Sequence, residues 1–165
     1  MKKIPFILLL CVPIQWLLAQ CNDGEIELWD NCYGIDITYE LNLSGQGLSG
    51  GIPNTIAQLS NLMFLDLSNN NISGTIPNEI GLLTSIVELF LFGNQLTGSI
   101  PPEIGNLEYI SSLYLNNNQI NGELPVELGY SSELEYLQLQ NNQINGEFPP
   151  SICELELDWQ SIYSF

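Results

Sequence analysis

Residues 113–129 read Leu-Tyr-Leu-Asn-Asn-Asn-Gln-Ile-Asn-Gly-Glu-Leu-Pro-Val-Glu-Leu-Gly, and they decide the architecture. The step Leu113-x-Leu115 has strand period, so both leucines point to one side and their neighbours to the other. Asn118 marks the turn that follows. Gly122 permits an unusual backbone angle and Pro125 then ends a second extended run. Val126 to Gly129 is short enough for one turn of helix or 3₁₀. Stepping outward by 24 residues returns the same letters in both directions. Leu41, Leu65, Leu89 and Leu137 stand in register with Leu113, and Leu43, Leu67, Leu91 and Leu139 with Leu115. Gly50, Gly74, Gly98 and Gly146 repeat with Gly122, as Pro53, Pro77, Pro101 and Pro149 do with Pro125. Self-similarity at a fixed period marks a solenoid, in which each unit buries its apolar face against its neighbours.

Asn70, Asn94, Asn118 and Asn142 also recur once per unit. An inward asparagine at that turn hydrogen-bonds the backbone of adjacent coils and forms a ladder. The unit Leu62, Leu65, Leu67, Asn70, Ile72, Gly74, Ile76, Pro77, Ile80, Gly81, Leu83 resembles that of leucine-rich-repeat proteins of the plant-type subclass, LxxLxLxxNxLxGxIPxxIGxLxx. The resemblance runs from about Ile37 to Ile152, roughly five units. It implies a fold that is α/β by convention and dominated by strands. A parallel β-sheet would line the concave face of a curved solenoid, with short 3₁₀ or helical turns on the convex side. Members such as plant receptor-kinase ectodomains and polygalacturonase inhibitors bind proteins, peptides or glycans on the concave face. The paired Lys2 and Lys3 and the short cysteine segment look more like a bacterial secreted protein than a plant receptor.

Outside the repeats, Met1-Lys2-Lys3 is followed by an apolar stretch from Ile4 to Leu18 and by small Ala19, the pattern of an export signal peptide over residues 1–20. Cys21 directly after it also permits a lipoprotein reading, which bulky Gln20 disfavours. Residues 21–36 read as an N-terminal cap in which Cys21 and Cys32 pair in an oxidising exterior, with Trp29 and Tyr33 over the open apolar end. The repeats occupy residues 37–152. Thr38 replaces the leading leucine of the first unit and Gln46 its ladder asparagine, as suits a terminal repeat. Residues 153–165 read as an incomplete unit or cap: Cys153 stands where Gly129 stood, the leucine spacing fails, and Ile162-Tyr163-Ser164-Phe165 would begin a sixth strand. A missing cap holding a partner for Cys153 would complete it.

Charge excludes several functions. The only basic residues are Lys2 and Lys3, there is no histidine, and 19 carboxylates give a net charge of −17. Affinity for phosphate backbones rests on Lys and Arg, so nucleic acid and anionic lipid are excluded as partners. The usual nucleophile–base pairs cannot be assembled, and a carboxylate pair on an open sheet lacks the cleft that glycoside hydrolysis needs. The chain is therefore not read as an enzyme, and no cofactor or metal is expected. Glu79, Glu103 and Glu127 form a ladder on the outer turns, with Glu123 and Glu147 a shorter one, read as a solvated face rather than a calcium site.

The remaining candidates lie beside the inward leucines: Phe64, Asp66, Glu88, Phe90, Phe92, Tyr114, Tyr136 and Gln138, with Glu40, Asn42, Ser44, Ser68, Ser112, Asn116 and Gln140 around them. Strands about 4.8 Å apart would gather Phe64, Phe90, Phe92, Tyr114 and Tyr136 into one aromatic patch. Rings beside carboxylates and amides suit sugar rings, and equally a peptide with a basic or aromatic anchor. The expected function is an extracellular binding module for a protein, peptide or polysaccharide, without a membrane span after residue 20. A spacer in a larger surface protein and an inhibitor of a secreted hydrolase are the competing readings. Oligomeric state is left open. Asn42-Leu43-Ser44 and Asn71-Ile72-Ser73 match the N-glycosylation pattern, the first on the concave face. Because like charges repel throughout, raising NaCl from a few millimolar to about 0.5 M should raise the thermal midpoint. A midpoint indifferent to salt would contradict this.

Overall fold

The computed structural model describes residues 21–158. The expected signal peptide and the expected start of a sixth strand lie outside them. Two strands, β1 (Glu25–Leu28) and β2 (Asn31–Gly34), form an antiparallel hairpin. Trp29 and Asp30 make its two-residue turn at φ 46° and 62°. A Cys21–Cys32 disulfide with Cα atoms 5.4 Å apart ties the entering chain to β2. Ile26 and Leu28 are buried in the common core, and Trp29 and Tyr33 pack against it.

Each later coil then lays down two short strands. In order these are β3 (Glu40–Asn42) and β4 (Ser49–Gly50), β5 (Phe64–Asp66) and β6 (Asn71–Thr75), β7 (Glu88–Phe90) and β8 (Gln95–Thr97), β9 (Ser112–Tyr114) and β10 (Asn121–Gly122), β11 (Tyr136–Gln138) and β12 (Gln143–Ile144). The first of each pair joins a five-stranded sheet in the order β11-β9-β7-β5-β3. It is parallel and in perfect register, with Leu41, Leu65, Leu89, Leu113 and Leu137 side by side. The second members form a flanking sheet β4-β6-β8 and a pair β10-β12. Gly50, Gly74, Gly98, Gly122 and Gly146 sit there at φ between 73° and 84°, where a side chain is strained.

Prolines then open the outer turns. Pro53, Pro77, Pro101 and Pro125, at φ from −71° to −66°, precede 3₁₀ turns at Asn54–Gln58, Asn78–Leu82, Pro102–Asn106 and Val126–Tyr130. The last described turn is a short helix, α1 (Pro150–Cys153). Isoleucines and leucines fill the interior in columns, such as Ile56, Ile80, Ile104, Leu128 and Ile152, all with no exposed surface. One column breaks rank: after Leu59, Leu83 and Leu107 comes Ser131, equally buried, whose Oγ has no hydrogen-bond partner.

The asparagines stitch the coils together. Asn118 donates through Nδ2 to Leu91 O and Leu115 O at 3.0 Å each, and its Oδ1 accepts from Leu96 N–H at 3.0 Å. Asn70, Asn94 and Asn142 repeat the pattern one coil apart. Glycine has a different duty at Gly105, where an added Cβ would meet the Glu127 carbonyl of the next coil. Gly81 faces the same obstruction from the Glu103 carbonyl, and Gly129 is closed off by the Ser151 side chain and backbone. Cys153 takes the equivalent place in the last described turn, where its free thiol is exposed.

The failing leucine spacing at the C-terminal end has a simple cause. Leu155 N–H bonds Ile152 O as Leu107 N–H bonds Ile104 O, but Asp158 N–H reaches Glu135 O one residue earlier than the period requires. This coil is one residue shorter, so Leu157, buried, fills the column of Leu134. Replacing Asn118 by Ala orphans the buried Leu96 N–H and opens a void, and should cost about 3 kcal/mol of unfolding free energy in urea titration. A loss below about 1 kcal/mol would mean that the ladder is dispensable.

Candidate functional site

Period-two alternation along β3, β5, β7, β9 and β11 sends the leucines inward and leaves three rows of side chains on the concave face. The first row is Glu40, Phe64, Glu88, Ser112 and Tyr136, and the second is Asn42, Asp66, Phe90, Tyr114 and Gln138, each in direct register. Ser44, Ser68, Phe92, Asn116 and Gln140 extend the pattern past the strand ends, held by bonds such as Gly45 N–H to Ser68 O and Asn117 N–H to Gln140 O.

An aromatic cluster occupies the middle. Phe90 stacks on Tyr114 with centroids 4.7 Å apart, and Phe64 meets Phe90 edge-on at 5.6 Å. Phe92 is tilted against both Phe90 and Tyr114 at 6.5 Å. The expected fifth member, Tyr136, is separate: it lies in register with Ser112, and its phenol donates a hydrogen bond to Glu135. That bond, with the charges of Glu135 and Asp158, holds its pKa above the usual 10.0.

Three expected concave positions are not available for contact. Ser68, Ser112 and Asn116 are buried, since larger neighbours close over them. Ser68 bonds Ser44 Oγ to Oγ at 2.8 Å, and its N–H donates to Asp66 Oδ1 at 2.9 Å, which fixes the Asp66 carboxylate. Asn42 Oδ1 takes the equivalent bond from Ser44 N–H at 3.1 Å. Toward β11, the side-chain oxygens Asn116 Oδ1 and Gln140 Oε1 are buried without a hydrogen-bond partner.

The outer glutamates do not converge. Glu79 Oε1 accepts from Asn54 Nδ2 and Glu103 Oε1 from Asn78 Nδ2, so these carboxylates are tied to asparagines of the preceding coil. Among the described residues no group of three potential ligands is placed to hold a metal, and no helix is long and apolar enough to cross a membrane.

Two surfaces escaped the sequence reading. An open cavity of about 380 Å³ lies at the fifth coil, lined by Leu124, Leu139, Ile144 and Phe148 with Gln140 and Asn141. Phe148 continues the column of Ile76, Ile100 and Leu124 yet is exposed, a signal visible only once the columns are known. On the convex side Tyr109 and Tyr130 are exposed beside Glu108 and Glu133. Both tyrosines sit at positions where the repeat specifies nothing.

The comparisons follow this geometry. The family described as Leucine rich repeat matches residues 38–96, and single Leucine Rich Repeat units match 109–131 and 133–155. The BIR2 ectodomain from Arabidopsis thaliana is 30% identical at a TM-score of 0.66, over 76% of this chain and 72% of that one. The chain belongs to the leucine-rich-repeat family. It is similar as well to the Arabidopsis receptor kinase HAESA, in complex with the peptide hormone IDA and the co-receptor SERK1, at 40% identity and TM-score 0.71. That match covers 75% of this chain but 21% of HAESA. The ectodomain of the receptor kinase GASSHO1/SCHENGEN3, in complex with CASPARIAN STRIP INTEGRITY FACTOR 2, is 44% identical at TM-score 0.63, over 64% of this chain and 13% of that one. The chain thus spans a small part of these larger receptors. No curated protein sequence matches significantly. The plant-type leucine-rich-repeat assignment stands, whereas the expected bacterial origin finds no support in neighbours from Arabidopsis thaliana.

Replacing Glu135 by Gln removes both the charge and the carboxylate acceptor beside Tyr136. One phenol should then ionise at lower pH, closer to 10.0, in an ultraviolet titration. An unchanged titration would detach Tyr136 from Glu135.

Proposed function

We propose that this leucine-rich-repeat chain is an extracellular binding module that takes its ligand on the concave sheet. The observation that carries the reading is the cluster Phe64, Phe90, Phe92 and Tyr114 on the unpartnered face of a five-stranded parallel sheet. Contiguous partly exposed rings are uncommon on protein surfaces unless something covers them, and aromatic side chains supply much of the energy at interfaces. Rigid neighbours hold the rings in place: Leu65, Leu89 and Leu113 behind them are fully buried. The contact set is Phe64, Asp66, Glu88, Phe90, Phe92, Tyr114 and Gln138, with Tyr136 at its margin.

A peptide is the preferred ligand. The structures of HAESA and GASSHO1/SCHENGEN3 are complexes with a peptide hormone and with an integrity factor, on chains that share this repeat. An extracellular setting agrees with the disulfide, the export-like first twenty residues and the ectodomain neighbours. Catalysis plays no part in the reading.

Probing the full chain against panels of synthetic peptides, extracellular proteins and oligosaccharides tests it. Phe90→Ala with Tyr114→Ala should abolish the binding found and leave the thermal midpoint nearly unchanged, because these rings pack outside the leucine core. Affinity that survives the double substitution would sink the concave-face assignment, and no hit in any panel would favour the spacer.

A further inference from the structure

On the convex side, the fourth and fifth coils leave their 3₁₀ turns through the same bend. At Leu107 (φ −83°, ψ 79°) and Ser131 (φ −78°, ψ 79°) the chain makes an inverse γ-turn. Glu108 N–H closes the first on Asn106 O at 3.1 Å, and Ser132 N–H the second on Tyr130 O at 3.0 Å. The side chain at the centre of each bend is buried, and buried Ile110 and Leu134 pin the far end of each segment. Glu108 and Tyr109 of one coil are left exposed, as are Tyr130, Ser132 and Glu133 of the next. Counted back from the register pair Ser112 and Tyr136, Tyr109 stands opposite Glu133 and Glu108 opposite Ser132. The five side chains line one open cleft of about 500 Å³.

Both rings are largely in solvent, Tyr109 at 60% and Tyr130 at 67% exposure, so core packing does not account for them. Other coils hold Asn61 or Ser85 in the place of Tyr109, and Gln58, Leu82 or Asn106 in that of Tyr130. Asn61 donates through Nδ2 to Asp36 O at 3.0 Å, a bond between coils that tyrosine gives up at the same position. Ser132 Oγ donates to Glu133 Oε1 at 3.4 Å, and no Lys, Arg or His after Lys3 can neutralise Glu108 or Glu133. Two rings and two acids around one cleft are complementary to a cation that also has flat apolar faces. We propose that this cleft docks a basic segment of a partner protein. An arginine side chain lies between Tyr109 and Tyr130, with its guanidinium on Glu108 and Glu133. Guanidinium stacks on rings and is more weakly hydrated than ammonium, so arginine loses less water here than lysine. The cleft is roomier than a lone ammonium head needs and takes a side chain with part of its backbone. It lies away from the concave rings, so it does not rest on the reading of that face and leaves the sheet free for another ligand.

Blocked Gly-Arg-Gly, titrated against the isotope-labelled full chain and followed by NMR, tests this beside blocked Gly-citrulline-Gly, its neutral isostere, and choline. The backbone amide signals of Tyr109, Tyr130 and Glu133 should move saturably with the arginine peptide. Its affinity should exceed that of either control about fivefold and fall as NaCl rises. Tyr39, an exposed ring beside Glu40 and outside the cleft, is the reference and should move less. Glu108→Gln with Glu133→Gln should erase the preference for arginine over citrulline. Removing two exposed charges elsewhere, by Glu27→Gln with Glu147→Gln, should leave it. Tyr109→Ser with Tyr130→Asn, residues that neighbouring coils carry, should remove the binding while the thermal midpoint holds. Phe90→Ala with Tyr114→Ala should not affect it. Equal affinity for the arginine and citrulline peptides, or shifts at Tyr39 as large as those in the cleft, overturns the proposal, the attraction then being that of an acidic chain as a whole. So does a preference lost equally with Glu27 and Glu147, or binding that disappears with Phe90 and Tyr114. Choline bound as tightly as the arginine peptide overturns the choice of a protein segment.

Discussion

The side-chain amide of Asn118 donates to one coil's carbonyl and to its own, while its oxygen receives the N–H of Leu96 from the preceding coil. Those bonds hold a turn that has no regular secondary structure to satisfy it, in an interior where an unpaired amide is expensive. The ladder of Asn70, Asn94, Asn118 and Asn142 therefore fixes the distance and register between coils. Everything else follows from that register. The leucine columns align because the strands do not slip, and a slip of one residue would turn every leucine to solvent. The neighbouring 3₁₀ turns come close enough that only glycine fits at Gly81, Gly105 and Gly129.

This stitching also bears on charge. A chain with 19 carboxylates and no cation after Lys3 cannot gain from internal ion pairs between side chains. Its coils are held by apolar burial and by neutral amide bonds, which are insensitive to the sign of the surrounding field. Some acids use asparagines as neutral partners, as Glu79 does with Asn54 and Glu103 with Asn78. The concave carboxylates Asp66 and Glu88 have no such neutral counterpart on a neighbouring coil and stand next to rings. That contrast between the outer and the inner face gives the proposed site its chemical character.

The repeat made the fold legible: periodic leucines, asparagines, glycines and prolines each named a backbone state that recurs every 24 residues. Alternation also assigned Phe64, Phe90, Phe92 and Tyr114 to one face. What it misjudged depends on side-chain size. Ser68, Ser112 and Asn116 occupy concave positions and are still buried, because short side chains sink between long ones. Tyr136 was grouped with the rings by strand spacing alone, yet its phenol turns to Glu135 and its register neighbour is the small Ser112.

The amino-acid sequence by itself determined the solenoid, the inward and outward sense of each strand residue, and the lack of Lys, Arg and His after Lys3. These are properties of local period and composition, which need no knowledge of distant contacts. Only the tertiary structure decided which rings touch, that the final coil closes one residue short, and that Asn116 and Gln140 hold buried oxygens without donors. Such features depend on how unequal side chains from successive coils fill shared space. A repeat pattern specifies which positions meet, and the volumes of the particular residues there decide what each of them leaves exposed.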